Sequence, residues 1–257
     1  MTPRPRRSTP MPRRQRLDLA LVARGLAATR AQARDLIGRG CVSVDGVVVT
    51  KSAALVAEAV AVAVADGAAD YVSRGGLKLA AALDAFGFDA NGTIALDVGA
   101  STGGFTQVLL ARGAAKVYAV DVGHGQLHAR LAGDKRVVSL ETCDARRLTR
   151  ALIPDPIGAI VADVSFISLT KALPAALVLA GPSAWLVALV KPQFEAGRAA
   201  IGKGGIVRDP GVREQAVAAV QSWMAQQPGW RVAGVVPSPI AGGSGNREFL
   251  LGALRDG

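Results

Sequence analysis

Three acids close three successive apolar runs: Asp97 in "TIALDVGASTGGFT" (93–106), Asp121 in "KVYAVDVG" and Asp144 in "VVSLETCD". Further along, Asp163 ends "AIVADVSF", Lys191 follows "WLVALV", Glu248 stands in "GNREFLL" and Lys78 in "SRGGLKLAAAL". Charged groups at the ends of buried strands are expensive unless paired. Two lysines and two acids together form a candidate set for drawing a proton away and stabilising the charge that develops. After Asp97 come Gly99, Ser101, Gly103 and Gly104, small residues that let a ligand approach the backbone. A dinucleotide site has glycine where Ser101 stands, and Asp97 repels a pyrophosphate. The same acid suits an ammonium group, and S-adenosylmethionine carries one beside a cationic sulfonium. Asp121 sits where a carboxylate accepts both hydroxyls of a ribose. Asp144 is placed for the adenine edge, with the capping of a following helix as its alternative role.

The elements that must hold these residues read as strand–helix alternation from residue 73 onward. "TIALDVGA", "KVYAVDVG", "VVSLETCD", "AIVADVSF", "WLVALVKP" and "FLLGAL" are expected strands of a parallel sheet covered on both faces. "GGFTQVLLARG" and "VREQAVAAVQSWMAQQ" are expected helices between them. The stretch from Ala172 to Val190 has no charge, but Pro174, Gly181, Pro182 and Ser183 break it into a short helix, a turn and a buried strand rather than a membrane span.

Residues 16–66 form a smaller unit. Leu17, Leu21 and Val22 are expected on one helical face. Thr29 caps a second helix, with Ala33, Leu36 and Ile37 inward and Arg30 and Arg34 outward. "CVSVDGVVVT" is a hairpin turning on Asp45-Gly46. The arginines read either as a reader of backbone phosphates or as a solvated face. Residues 1–15 are a Pro/Arg/Ser tail with no acid, expected to be disordered alone and either solvated or an electrostatic arm. Residues 67–72 are a small-residue linker.

The 257 residues are half apolar and carry a net charge of +10, which favours a polyanionic partner such as nucleic acid. The N-terminal arginines have no apolar core behind them, unlike a signal peptide. Cys41 and Cys143 show no CxxC spacing, which suits a reducing cytoplasm and argues against zinc. His124 and His128 lack the acidic partners of a metal frame, so no metal is expected.

The segment "RLD…L…RGL…TRAQARDLIGRGCVSVDG" resembles an S4-type RNA-binding domain. With "SRGGLKL", "DVGASTGGFT", "ADVSFISL", "LVKPQFE" and "GGIVRD" in order, the chain beyond its tail resembles the TlyA family, an S4-type domain joined to an FtsJ-like methyltransferase domain. The implied fold is α/β, a Rossmann-like class I methyltransferase domain over residues 73–257 with a small α+β domain before it. The implied activity is S-adenosylmethionine-dependent methylation of cytidine ribose 2′-hydroxyls in ribosomal RNA, by a cytoplasmic protein acting on rRNA or a ribosomal subunit. Consistent with that, "ADVSF" lacks the Asn/Asp-Pro-Pro-aromatic of amino-methylating enzymes, and neither cysteine follows a proline as base-carbon methylation needs.

By this resemblance Lys78, Asp163, Lys191 and Glu248 are the catalytic tetrad. Asp97, Gly99, Ser101, Gly103, Gly104, Phe105, Asp121, Asp144 and Asp163 are expected around the cofactor, and Arg16, Arg30, Arg34 and Lys51 on RNA. As a base, Lys191 must shed a proton that a free lysine keeps at neutral pH; as a cation, it steers the hydroxyl. Both roles stay open. Some family members carry Arg-Ala-Trp-Val in the linker, where this chain has "ADYV" (69–72), with Tyr71 at the aromatic position. The family's haemolysin naming keeps a membrane-active reading in play, and a non-catalytic rRNA-binding assembly factor is the third.

Overall fold

The computed structural model describes residues 14–38, 40–65, 71–197, 201–202, 204–242 and 245–257. The chain divides into two compact units between Asp66 and Gly67. Most of the 1–15 tail and of the 67–72 linker falls outside the described residues.

The first unit runs β1 (Arg14–Arg16), α1 (Leu17–Ala23), α2 (Arg30–Gly38), β2 (Val42–Val44), β3 (Val47–Val48), β4 (Leu55–Ala57) and β5 (Val62–Val64). Arg14 and Gln15 do not belong to a free tail, because β1 pairs antiparallel with β4. Thr29 Oγ1 accepts the Gln32 N–H at 3.1 Å, satisfying an orphan donor at the start of α2. Asp45 (φ 49°) and Gly46 (φ 77°) turn the hairpin of β2 and β3 in the left-handed region, where an Asp-Gly pair is cheap. β5 adds a third strand beside β2. Leu17, Ala20, Leu21, Leu36 and Ile37 form the core. Val22 does not join them: Ala20 takes the inward position one turn after Leu17, leaving Val22 36% exposed.

The second unit contains α3 (Gly75–Phe86), β6 (Ile94–Val98), α4 (Gly104–Ala111), β7 (Lys116–Val120), α5 (Ala129–Ala132), β8 (Val137–Leu140), a 3₁₀ turn at Ala145–Arg147, and β9 (Ile157–Ala162). It continues through α6 (Leu169–Ala172), α7 (Pro174–Val178), β10 (Ala180–Val190), α8 (Pro192–Glu195), α9 (Pro210–Ala225), β11 (Trp230–Pro237) and β12 (Phe249–Arg255). One sheet holds seven strands in the order β11-β12-β10-β9-β6-β7-β8. The expected sheet is parallel except at β12, which runs antiparallel to both β10 and β11. β11 is absent from the expected strands, because Gly234 interrupts its register and only Trp230 is buried.

Alternation along the strands fills both faces. Leu96, Ile160, Leu186 and Val190 pack into one buried cluster, while Ala95, Val161, Val187 and Leu189 pack into the other under α3 and α4. The uncharged Ala172–Val190 stretch becomes α7 and β10. Gly181-Pro182 sits inside β10 at a bulge, where pairing with β9 skips from Ala180 to Trp185. Among the described residues no helix is long and apolar enough to cross a membrane.

Candidate active site

Parallel pairing brings the C-terminal ends of β6, β7 and β9 side by side, so residues far apart in sequence meet at one edge. A cavity of about 350 Å³ opens there, lined among others by Gly99, Ser101, Asp121, Gln126, Asp163 and Phe166. Asp121 accepts the N–H groups of Ser101 at 2.8 Å and Gly123 at 2.7 Å, which ties the glycine turn to the next strand's end. Ser101 Oγ meets Gln126 Oε1 at 3.1 Å. Glu141, a residue the sequence reading passed over, anchors the loop after Asp121. Its carboxylate accepts the N–H groups of Gly125, Gln126 and Leu127, which holds its pKa below the usual range. The signal was present: an acid directly follows β8 in "SLETCD".

Asp97 lies behind the cavity wall with no exposure. Its Oδ2 accepts from Thr106 Oγ1 at 2.6 Å, while Oδ1 is buried without a partner. Burial pushes its carboxyl up to about 7, with Thr106 opposing and Asp163 adding to the rise. An orphaned acceptor of this kind fits a cationic group such as the ammonium of S-adenosylmethionine.

Gly99 (φ 85°) lines the cavity, and a Cβ there would meet the Asp163 carbonyl at 2.7 Å. Gly103 and Gly104 are also held by packing: a Cβ on Gly103 would strike Leu127 and Leu131, and one on Gly104 would strike Ser73 and the Gly76 backbone. Phe105 is likewise buried in the core cluster under α3 and α4, away from the cavity lining. Asp144 takes the capping role: it accepts the Arg146 N–H at 3.0 Å and pairs with that guanidinium, while its neighbours Cys143 and Ala145 line the cavity.

The four tetrad candidates form two ion pairs, with Lys78, Lys191 and Glu248 buried and Asp163 half-buried. Lys191 leaves the end of β10 with Nζ 2.6 Å from Asp163 Oδ1, off the hydrogen-bonding direction, and donates to Ser165 Oγ at 2.9 Å. Lys78, on α3, reaches Glu248 at 2.5 Å. Glu248 stands one step before Phe249, which pairs with Val190, so β12 delivers it next to Lys191 along the sheet edge. A second cavity of about 560 Å³ opens on Glu248, bordered by Arg213, Ser238, Arg247 and Phe249. The Phe166 ring, 91% exposed with φ 66°, stands at the first cavity and packs on Phe194 at 5.2 Å. Sequence reading missed it, since an exposed strained aromatic has no local signature.

Other expectations resolve more simply. Tyr71 packs on the start of α3, where a Cβ on Gly76 would lie 2.5 Å from its ring. His128 caps α5 and His124 lies 3.8 Å from Glu141. Among the described residues no three metal-ligating side chains gather. Arg16, Arg30 and Arg34 are not a loose outer face, because all three reach the buried carboxylate of Asp18. Lys51 is exposed in the loop whose Ser52 carbonyl accepts the Asp18 N–H.

Two protein families match the chain, the S4 domain over residues 15–59 and the FtsJ-like methyltransferases over residues 71–255. The chain is 50% identical over 242 residues to the 16S/23S rRNA (cytidine-2′-O)-methyltransferase TlyA of Mycobacterium tuberculosis, covering 94% of this chain and 90% of that protein. It is 43% identical over 236 residues to Hemolysin A of Brachyspira hyodysenteriae, covering 91% and 98%. A solved structure from Streptococcus thermophilus that carries a hemolysin name superposes with a TM-score of 0.73 at 40% identity, over 96% of this chain and 90% of that one.

Proposed function

The chain belongs to the FtsJ-like methyltransferase family and carries an S4 domain ahead of it, and on that premise we propose that it methylates ribose 2′-hydroxyls of cytidines in ribosomal RNA. The observation that carries this reading is the two ion pairs, Lys191–Asp163 and Lys78–Glu248, three of whose four charges are buried and whose acids each border a cavity. A protein that only bound RNA would gain nothing from burying three of these four charges near one end of the sheet, since desolvating them costs more than such pairs usually return.

S-Adenosylmethionine, when bound, supplies a methyl group on a sulfonium for direct transfer. Asp97 offers its unpartnered oxygen to the ammonium end, and Asp121 is the acceptor for ribose hydroxyls. Gly99 leaves the cavity floor open. Lys191 meets the acceptor hydroxyl, either taking its proton or holding the developing oxyanion, while Asp163 and Ser165 fix its direction. Lys78 and Glu248 hold the far side of the tetrad, where the second cavity admits the acceptor strand. The exposed ring of Phe166 offers a stacking surface for a base turned out of its helix. Alignment of oxygen and methyl supplies much of the rate in such a site.

The test is transfer of labelled methyl from S-adenosylmethionine to rRNA, followed by alkaline hydrolysis. A 2′-O-methyl blocks cleavage on its own 3′ side, so label is expected in alkali-resistant dinucleotides whose 5′ residue is the methylated one. Label on a base, or none on naked rRNA and on both ribosomal subunits, overturns the assignment. Leakage from liposomes without methyl transfer would favour the membrane-active reading that the hemolysin names of relatives suggest.

A further inference from the structure

We propose that Arg16, Arg30 and Arg34 act as one site for a single RNA backbone phosphate, assembled by the buried carboxylate of Asp18. The inference rests on the reading of the chain as an RNA methyltransferase and specifies how its first unit grips the substrate. Asp18 lies in the first turn of α1 with no exposed surface. Its Oδ1 accepts from Arg16 Nε at 3.0 Å; its Oδ2 accepts from Arg16 Nη2 at 3.1 Å, Arg30 Nε at 3.0 Å and Arg34 Nε at 3.2 Å. The arginines hold the carboxylate far below its ordinary pKa, Arg16 first among them, so it stays charged at any physiological pH.

One guanidinium would neutralise a buried carboxylate. Three leave a net charge of +2 at one point, an excess that stability alone does not call for. The side chains remain 38%, 46% and 54% exposed. Arg30 and Arg34 spend only Nε on Asp18, and no described residue engages their Nη atoms. Two outward donor edges from neighbouring turns of α2, with Arg16 beside them, match the oxygens of a phosphodiester, which guanidinium groups bind bidentately. Because Asp18 already fixes the three directions, less side-chain freedom is lost on binding. Arg24 shows the contrast, since its guanidinium is used up on the carbonyls of Ala57, Glu58 and Val60.

Asp18 is therefore a positioning residue, and the sign of its effect tests the idea. Asp18→Asn makes the full-length chain more positive by one charge. If the arginines acted as separate solvated charges, affinity for a transcript of large-subunit rRNA would rise; as a pre-set site, it falls at least about tenfold, with S-adenosylmethionine binding unchanged by calorimetry. The exposed variants Arg30→Gln and Arg34→Gln keep the test alive if the Asn variant fails to fold. In a single site the double variant binds about as weakly as either single one, whereas independent contacts lose affinity multiplicatively. Removing all three arginines should flatten the salt dependence by about one phosphate, 0.7 to 0.9 in the log–log slope, and not by three. Tighter binding by the Asn variant, multiplicative losses, or a three-phosphate slope change overturns the site. A wild-type chain that binds no rRNA at low salt would instead overturn the methyltransferase reading beneath it.

Discussion

Lys78 and Glu248 stand 170 residues apart in the chain and 2.5 Å apart in space, both buried. Lys78 comes from α3 and Glu248 from the approach to β12, so the pair forms only when the last strand is inserted between β10 and β11. Removing one partner strands the other charge in the interior. Lys78→Ala and Glu248→Ala should each lower stability by about 3–5 kcal/mol, read by urea unfolding. The double variant Lys78→Met/Glu248→Leu should recover most of that loss, because a well-packed apolar pair replaces a buried ion pair at little cost. It should not recover methyl transfer. Recovery of both stability and activity would show the pair to be structural only.

Lys191 lies against Asp163 and Ser165 at the end of β10. A group that works on the transition state lowers turnover when removed and leaves ground-state affinity nearly intact. Lys191→Ala should fold, bind S-adenosylmethionine and rRNA, and lose at least about a hundredfold in rate. Lys191→Arg keeps charge and cannot release its proton, so it separates the two roles. An inactive arginine variant supports proton removal, and substantial activity leaves only charge stabilisation. Full activity in the alanine variant would take Lys191 out of the reaction.

Asp97 gives the apo protein a pH signature. Its folded pKa is raised to about 7 from an ordinary 3.8, so the fold binds its proton more tightly than the unfolded chain does. The stability it contributes is complete below about 4 and is lost as pH rises through about 7. A ligand ammonium reverses the preference by favouring the ionised acid. Affinity for S-adenosylmethionine should therefore rise with pH across about 7, and Asp97→Asn should remove both the stability slope and that part of the affinity profile. Unchanged profiles in the Asn variant, by thermal unfolding and calorimetry, would separate Asp97 from the cofactor.

Asp121 holds two backbone N–H groups in addition to any ligand role. Asp121→Ala should weaken cofactor binding at least roughly tenfold, from the loss of charge-assisted bonds worth about 1.5–3 kcal/mol. Glu141→Gln serves as the control for loop anchoring alone: it keeps one acceptor oxygen for the Gly125–Leu127 amides and should cost less. Wild-type affinity in a folded Asp121→Ala variant would exclude Asp121 from the site.

What the sequence determined by itself was local or strictly periodic. Apolar runs ending in Asp97, Asp121, Asp163 and Lys191 announced strands and put their charges at one edge, because parallel strands share an end. Asp45-Gly46 announced its turn and Thr29 its cap, since each acts within four residues. Folding decided the rest. Gly104 and Phe105 stand at the glycine turn in sequence, and both pack where α3 meets α4, a contact no local pattern announces. Asp144 could face a ligand or cap a turn, and in the fold it caps the turn and pairs with Arg146 two residues away. Three arginines that helical periodicity could only place on an outer face converge on Asp18 because α1, α2 and the β1–β4 pairing meet there. A charge's partner depends on which elements pack together, and with up to 16 residues between Asp18 and Arg34 no pattern of nearest neighbours carries that information.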